Sequence, residues 1–146
     1  MYQTLDRPTL GQLIVPAVLT ADNTPLAVDL RGFQACGVLL SHGAGGITFT
    51  TTNKIEFVLR HGDTATVANH TAVAATDVAL PSGQTWATGG IIRSFTAAVA
   101  DAGVIYLGDY VGTKRYISLL ADFSGTHGVG TALSATAYRS RAAAIG

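Results

Sequence analysis

Four histidines, one cysteine and nine carboxylates are the side chains that could carry acid–base, nucleophilic or metal chemistry in this chain. His42, His61 and His127 each precede a glycine, and His70 stands in the segment NHTA. A structural zinc site needs Cys and His ligands in closely spaced pairs. No two histidines are so spaced, and neither is Cys36 with any of them. Three loop histidines could still meet at one end of a β-sandwich and hold an ion; ordinary loop histidines are the plainer reading. Cys36 lies in the apolar run ACGVLL, a poor setting for a thiolate, and reads as a buried structural thiol. No G-x-S-x-G elbow marks a nucleophilic serine. The carboxylates Asp6, Asp22, Asp29, Glu56, Asp63, Asp77, Asp101, Asp109 and Asp122 form no D-x-D pair. Asp109 and Asp122 could approach each other across a hairpin, in turn or rim roles.

Gly125 and Gly130 have the spacing of a phosphate-binding loop, G-x-x-x-x-G-K-[ST]. Thr131 follows Gly130, so the lysine that would neutralise a phosphate is missing. The next segment, ALSATAY, is strand-like, so no helix N-terminus faces an anion. GTHGVGT therefore reads as a hairpin loop between antiparallel strands, its glycines supplying positive φ. Trp86, in a Gly/Thr-rich stretch, reads as packed under a loop, with contact to a partner or a sugar as the alternative. The expectation is a non-enzyme with no catalytic residues, no cofactor and no metal.

The elements that must position any binding surface are strands. Residues 1–10 read as an extended N-terminal arm. QLIVPAVLT at 12–20 is strand-like, and Pro16 demands an edge or a break. ADNTP at 21–25 is a turn cluster. PLAVDL follows as a short strand with Leu26, Val28 and Leu30 on one face. CGVLLS at 36–41 is a continuous apolar run, as in a strand covered on both faces. In the next strand Ile55, Phe57 and Leu59 alternate with Lys54, Glu56 and Arg60, the pattern of a half-buried strand. Residues 64–90 carry little pattern: a short strand near 65–68, then a long loop with a helical turn around 71–79. IIRSF at 91–95 reads as a strand, and 97–101 as one helical turn. VIYLGDYV at 104–111, RYISLLADF at 115–123 and ALSATAYRS at 132–140 are the last strands, with a hairpin turn at Gly112-Thr113. Ile117, Leu119, Ala121 and Phe123 line the core face of the second of these. Tyr116 and Leu120 fall on its other face, where they could pack beneath a loop or a neighbouring subunit. About eight short strands with turn signals between them predict an all-β fold: a single β-sandwich domain over 11–141, jelly-roll-like, with a loose tail at 142–146.

Composition limits the partners. Charged residues make up 12% of the 146, against about 25% in ordinary soluble domains. With so little charge, the surface is either Thr, Ser, Ala and Gly or partly covered by other subunits. Net charge is zero, from nine basic and nine acidic residues, so no basic patch invites specific nucleic-acid binding. A single cysteine excludes an internal disulfide. MYQTLDRPTLGQ shows no secretory pattern, and no run approaches 18 apolar residues. A soluble protein made in a reducing cytoplasm, with no membrane partner, is expected.

Three segments together resemble a family. Asp29-Leu30-Arg31-Gly32-Phe33, then the strand and turn from Asn53 to His61 with Gly62-Asp63, then Tyr110 to Thr131, occur in order. This pattern resembles a group of small virion proteins of tailed bacteriophages and covers roughly residues 25–137. The segment 64–90 and the N-terminal arm fall outside it. The resemblance implies a structural virion protein on the outer surface of the head, made in the bacterial host cytoplasm. It further implies a decoration or cement role, with the major capsid protein as partner and a homo-oligomer, a trimer by preference. Leu5, Asp6 and Arg7 in the arm are interface candidates, with Tyr116 and Leu120. A head–tail connector, tail or head-fibre base component is the alternative role. A carbohydrate-binding module stacking sugars on Trp86, Tyr2 or Tyr106 is the third.

Overall fold

The computed structural model describes residues 8–44, 46–99 and 103–141. Its strands are β1 (Thr9–Leu19), β2 (Val28–Asp29), β3 (Ala35–His42), β4 (Lys54–Gly62), β5 (Thr71–Ala72), β6 (Val78–Ala79), β7 (Ile91–Phe95), β8 (Gly103–Tyr110), β9 (Tyr116–Ser124) and β10 (Thr131–Ser140). They form two five-stranded antiparallel sheets that face each other as a sandwich. One sheet has the order β1-β10-β3-β8-β6. The other runs β2-β9-β4, with β5 and β7 sharing the far edge of β4.

The core follows from the two-residue period of the strands. Ile55, Phe57 and Leu59 of β4 and Ile117, Leu119 and Ala121 of β9 are fully buried on one inner face. Val38 and Leu40 of β3, Leu107 of β8, and Leu133, Ala135 and Ala137 of β10 meet them from the other. Small residues in β10 let the sheets approach, which is why an Ala-rich segment holds a central position.

β1 is an edge strand, and its irregularity is written in its sequence. Register shifts fall between Gln12 and Ile14 and between Ile14 and Ala17. The first lets the neighbours Leu13 and Ile14 both turn inward, each about 1% exposed or less. The Gln12 side-chain amide donates to the carbonyls of Ile14 and Ala135 there. The second contains Pro16, which could not have served a ladder. Pro16 thus marks both an edge and a break.

Several expectations need correction. The connections from β8 to β9 and from β9 to β10 are not hairpins, because β9 lies in the opposite sheet from β8 and β10. Gly112-Thr113 and GTHGVGT therefore carry the chain across the sandwich, with Gly125 and Gly130 at φ 82° and 77°. A tight glycine turn does not reveal which sheet the next strand joins. Asp109 and Asp122 consequently lie on different sheets. Residues 67–69 form a 3-10 turn, where a strand was expected near 65–68. A second such turn at 75–77 matches the expected helical turn, but it is flanked by the two-residue strands β5 and β6. Residues 97–99 are not helical. Thr9 and Leu10, read as arm, pair with Arg139 and Tyr138. The tail 142–146 lies outside the described residues.

PLAVDL pairs only at Val28 and Asp29. Beyond them the edge of β9 is served by side chains from the ADNTP turn. Asn23 accepts from the Ala121 N–H at 2.7 Å and donates to the Leu119 carbonyl at 3.1 Å. Asp22 accepts from the Phe123 N–H at 2.7 Å. Two side chains thus replace a missing strand and satisfy its backbone groups.

Candidate functional site

The outer faces of the two sheets differ. On the β2-β9-β4 sheet, Arg60, Glu56, Lys54 and Asp122 point outward by register, and Lys54 pairs with Glu56 at 2.8 Å. The segment after β4 folds back over this side. Buried His70 bonds Ser118 Oγ at 2.8 Å through Nδ1, and the Thr64 carbonyl at 2.8 Å through Nε2. Arg60 donates to the His70 carbonyl. Trp86 is half-buried and donates its indole N–H to the Val73 carbonyl. Tyr116 and Leu120 lie on this charged, partly closed side. Tyr116 is half-buried beneath the Arg115 guanidinium, and Leu120 is half-buried opposite Val58.

Among the described residues nothing folds over the outer face of β1-β10-β3-β8. By register it presents Leu10, Gln12 and Val18, then Ala132, Ser134, Thr136 and Tyr138, then Ala35, Gly37, Leu39 and Ser41, then Val104, Tyr106 and Asp109. Asp109 is the one charged side chain on it among the described residues. Val104 is 69% exposed, Val18 65% and Leu10 60%. The continuous apolar run of β3, read as covered on both faces, is therefore covered by its own chain on one. Four strands at ~4.8 Å and eight residues at ~3.3 Å make this face roughly 19 by 26 Å in plan.

A groove of about 370 Å³ crosses the face, lined by Ala35, Gly37, Leu39, Tyr106, Asp109, Tyr138 and Ser140. Its geometry depends on a bulge. A period of two would put Tyr106 and Asp109 on opposite faces. β8 slips register opposite Val38 and Leu39, with Leu107 left unpaired and Gly108 beside it at φ 138°. That slip brings both side chains to the outer face. A Cβ on Gly37 would sit 3.3 Å from Asp109 Oδ1 and 3.5 Å from Tyr106 Cε2, so the floor is open only because residue 37 has no side chain. Partial burial first, and the hydrogen bond to Asp109 second, push the Tyr106 phenol up to about 12. The hydroxyl stays protonated at neutral pH, beside the carboxylate.

The segments that carried the resemblance meet at one end of the sandwich. Arg115 forms a bidentate pair with Asp29 at 3.1 and 2.8 Å. That pair, with the Arg31 N–H, holds the Asp29 carboxyl down at about 2. Lys114 pairs with Asp63 at 2.6 Å. Arg139 donates to the Asp29 and Leu10 carbonyls and lies over Phe33. Arg31, Asp63, Lys114 and Arg115 line a cleft of about 510 Å³, and Lys114 and Arg115 are each paired with a carboxylate. Cys36 lines it from within, and burial raises its thiol to about 12.

The histidines do not converge. His61 Nδ1 lies 2.9 Å from the Tyr110 hydroxyl at the end just described. His42 and His127 lie at the opposite end, against Phe95, Phe49 and Phe123. Among the described residues no three His, Cys, Asp or Glu are grouped to hold a metal ion. Leu5, Asp6, Arg7 and Tyr2 lie outside the described residues. Tyr138, Gly37 and Leu39 were not singled out in the sequence; the apolar run of β3 was the only signal for Gly37 and Leu39, and Tyr138 in β10 had none. Among the described residues no helix is long and apolar enough to cross a membrane. No family model matches the chain, and neither a curated protein nor a solved structure matches it.

Proposed function

We propose that the chain is a structural virion protein of a tailed bacteriophage, a decoration or cement protein that binds across major capsid subunits on the outer surface of the head. The observation that carries this reading is the outer face of β1-β10-β3-β8. It is apolar to mildly polar across four strands, and among the described residues no layer covers the outer side of the apolar run in β3. A partner covering that face would occupy roughly 500 Å² of it in plan, about 1,000 Å² over both partners and near the lower bound of specific interfaces. The segments that resemble phage virion proteins are in mutual contact, so the resemblance is to one structural unit. The mechanism is adhesive and non-enzymatic. Each copy contributes moderate affinity, and a homo-oligomer, a trimer by preference, multiplies it by avidity.

The finer fold fits this role. β1 pairs with β10, β2 with β9, β3 with β8 and β4 with β7. These pairs are nested, as in one long hairpin rolled up, and β10·β3 and β9·β4 close the roll within each sheet. With β5 and β6 set aside, that nesting supports reading the sandwich as jelly-roll-like, an architecture used in viral capsid domains.

Quantitative mass spectrometry of purified particles tests the role. Copies in the hundreds per head are expected. A dozen or fewer would move the protein to the neck, tail or a fibre base, and absence from particles would overturn the virion reading.

A further inference from the structure

Docking of the open face would take Asp109 out of water with it. An ionised carboxylate accepts hydrogen bonds at about four sites, and the neighbouring Tyr106 hydroxyl can fill one of them at most. Burial without a counter-ion is strongly unfavourable, so whatever covers this face must bring positive charge to that point. The groove also selects its shape. Tyr138, Gly37 and Asp109 lie in register across three strands, and Tyr106 leans over the bare backbone of Gly37. Aromatic rings beside a carboxylate favour a planar cation that can both stack and present two parallel N–H groups. Lysine is a compact point charge with neither property.

Resting on the decoration reading, we infer that the groove between Tyr106 and Tyr138 receives an arginine side chain of the capsid subunit, its guanidinium stacked on tyrosine and paired with Asp109. A second copy of this chain does not fit face to face. The face carries no cation among the described residues, so self-pairing would bury two Asp109 carboxylates with nothing to neutralise them.

The test uses the free full-length protein labelled with nitrogen-15. N-acetyl-argininamide is titrated in, with N-acetyl-lysinamide and methyl glucoside as comparators, and backbone amide shifts are followed. The arginine probe is expected to move Gly37, Tyr106, Asp109 and Tyr138 and to bind more tightly than the lysine probe. Asp109→Asn should weaken it by ~tenfold or more, about 1.4 kcal/mol. Gly37→Ala, which narrows the floor and needs no unusual φ, should weaken it as well. The same spectra report whether each variant is folded. Shifts elsewhere, an equal response to lysine, or the glucoside taking the groove would overturn the inference. Absence of the protein from particles would sink the decoration reading and leave the arginine preference standing. A groove blind to arginine in a protein abundant on heads would sink the inference alone.

Discussion

The Tyr110 hydroxyl ties His61 to the turn before β9. It accepts the Lys114 N–H at 3.0 Å and lies 2.9 Å from His61 Nδ1. The other ring nitrogen, Nε2, lies 4.0 Å from the Asp77 carboxylate. Burial lowers the His61 pKa from 6.5, against the opposing pull of Asp77. A histidine whose folded value is depressed stabilises the fold fully above its unfolded value, and that contribution is lost as pH falls through the folded value. Thermal melts should therefore show wild type losing more stability than His61→Gln as pH drops from 7 toward 5. Asp29 acts in a separate window, its contribution fading as pH falls from about 4 through about 2. Cys36, raised to about 12, should resist a thiol reagent at pH 8 in the folded protein and react promptly in denaturant.

Strands were legible wherever alternation was strong. Ile55-Phe57-Leu59 and Ile117-Leu119-Ala121 point inward as their period requires, and Pro16 marks its edge. Sequence failed where side chains or turns did the work of strands. Nothing in ADNTP reveals that Asp22 and Asn23 serve the edge of β9, a contact about a hundred positions away in the chain. Asn23→Ala should cost about 1–2 kcal/mol in urea unfolding, since it strips partners from the Ala121 N–H and the Leu119 carbonyl. The groove was hidden for a related reason. Period-two reasoning assigns Tyr106 and Asp109 to opposite faces, and only the bulge at Gly108 reverses that. Gly108→Ala combines a φ of 138° with a Cβ 2.9 Å from the Ala79 carbonyl. It should destabilise the fold by ~1–3 kcal/mol and disturb the Tyr106–Asp109 pair first.

At the scale of the whole molecule, low charge has a location. The few charges collect on the β9-β4 face and at the two ends, and the β1-β10-β3-β8 face is left almost without them. Composition raised covered surface as an explanation, but could not say which face was meant, because Tyr116 and Leu120 of β9 offered cover as readily as the apolar run of β3. Val18→Glu and Val104→Glu change side chains 65% and 69% exposed, so each should alter stability by no more than ~0.5 kcal/mol. On the docking account each should weaken binding to protein-depleted particles by ~tenfold or more, whereas Val129→Glu, in the loop before β10, should not. Hydroxyl-radical footprinting of free against particle-bound protein tests the account most directly. Protection of Leu39, Tyr106 and Tyr138 on particles, with Val111 and Val129 still reactive, is the predicted result. An unprotected Tyr106 and Tyr138 on bound protein, or protection centred on Tyr116 and Leu120, would contradict it.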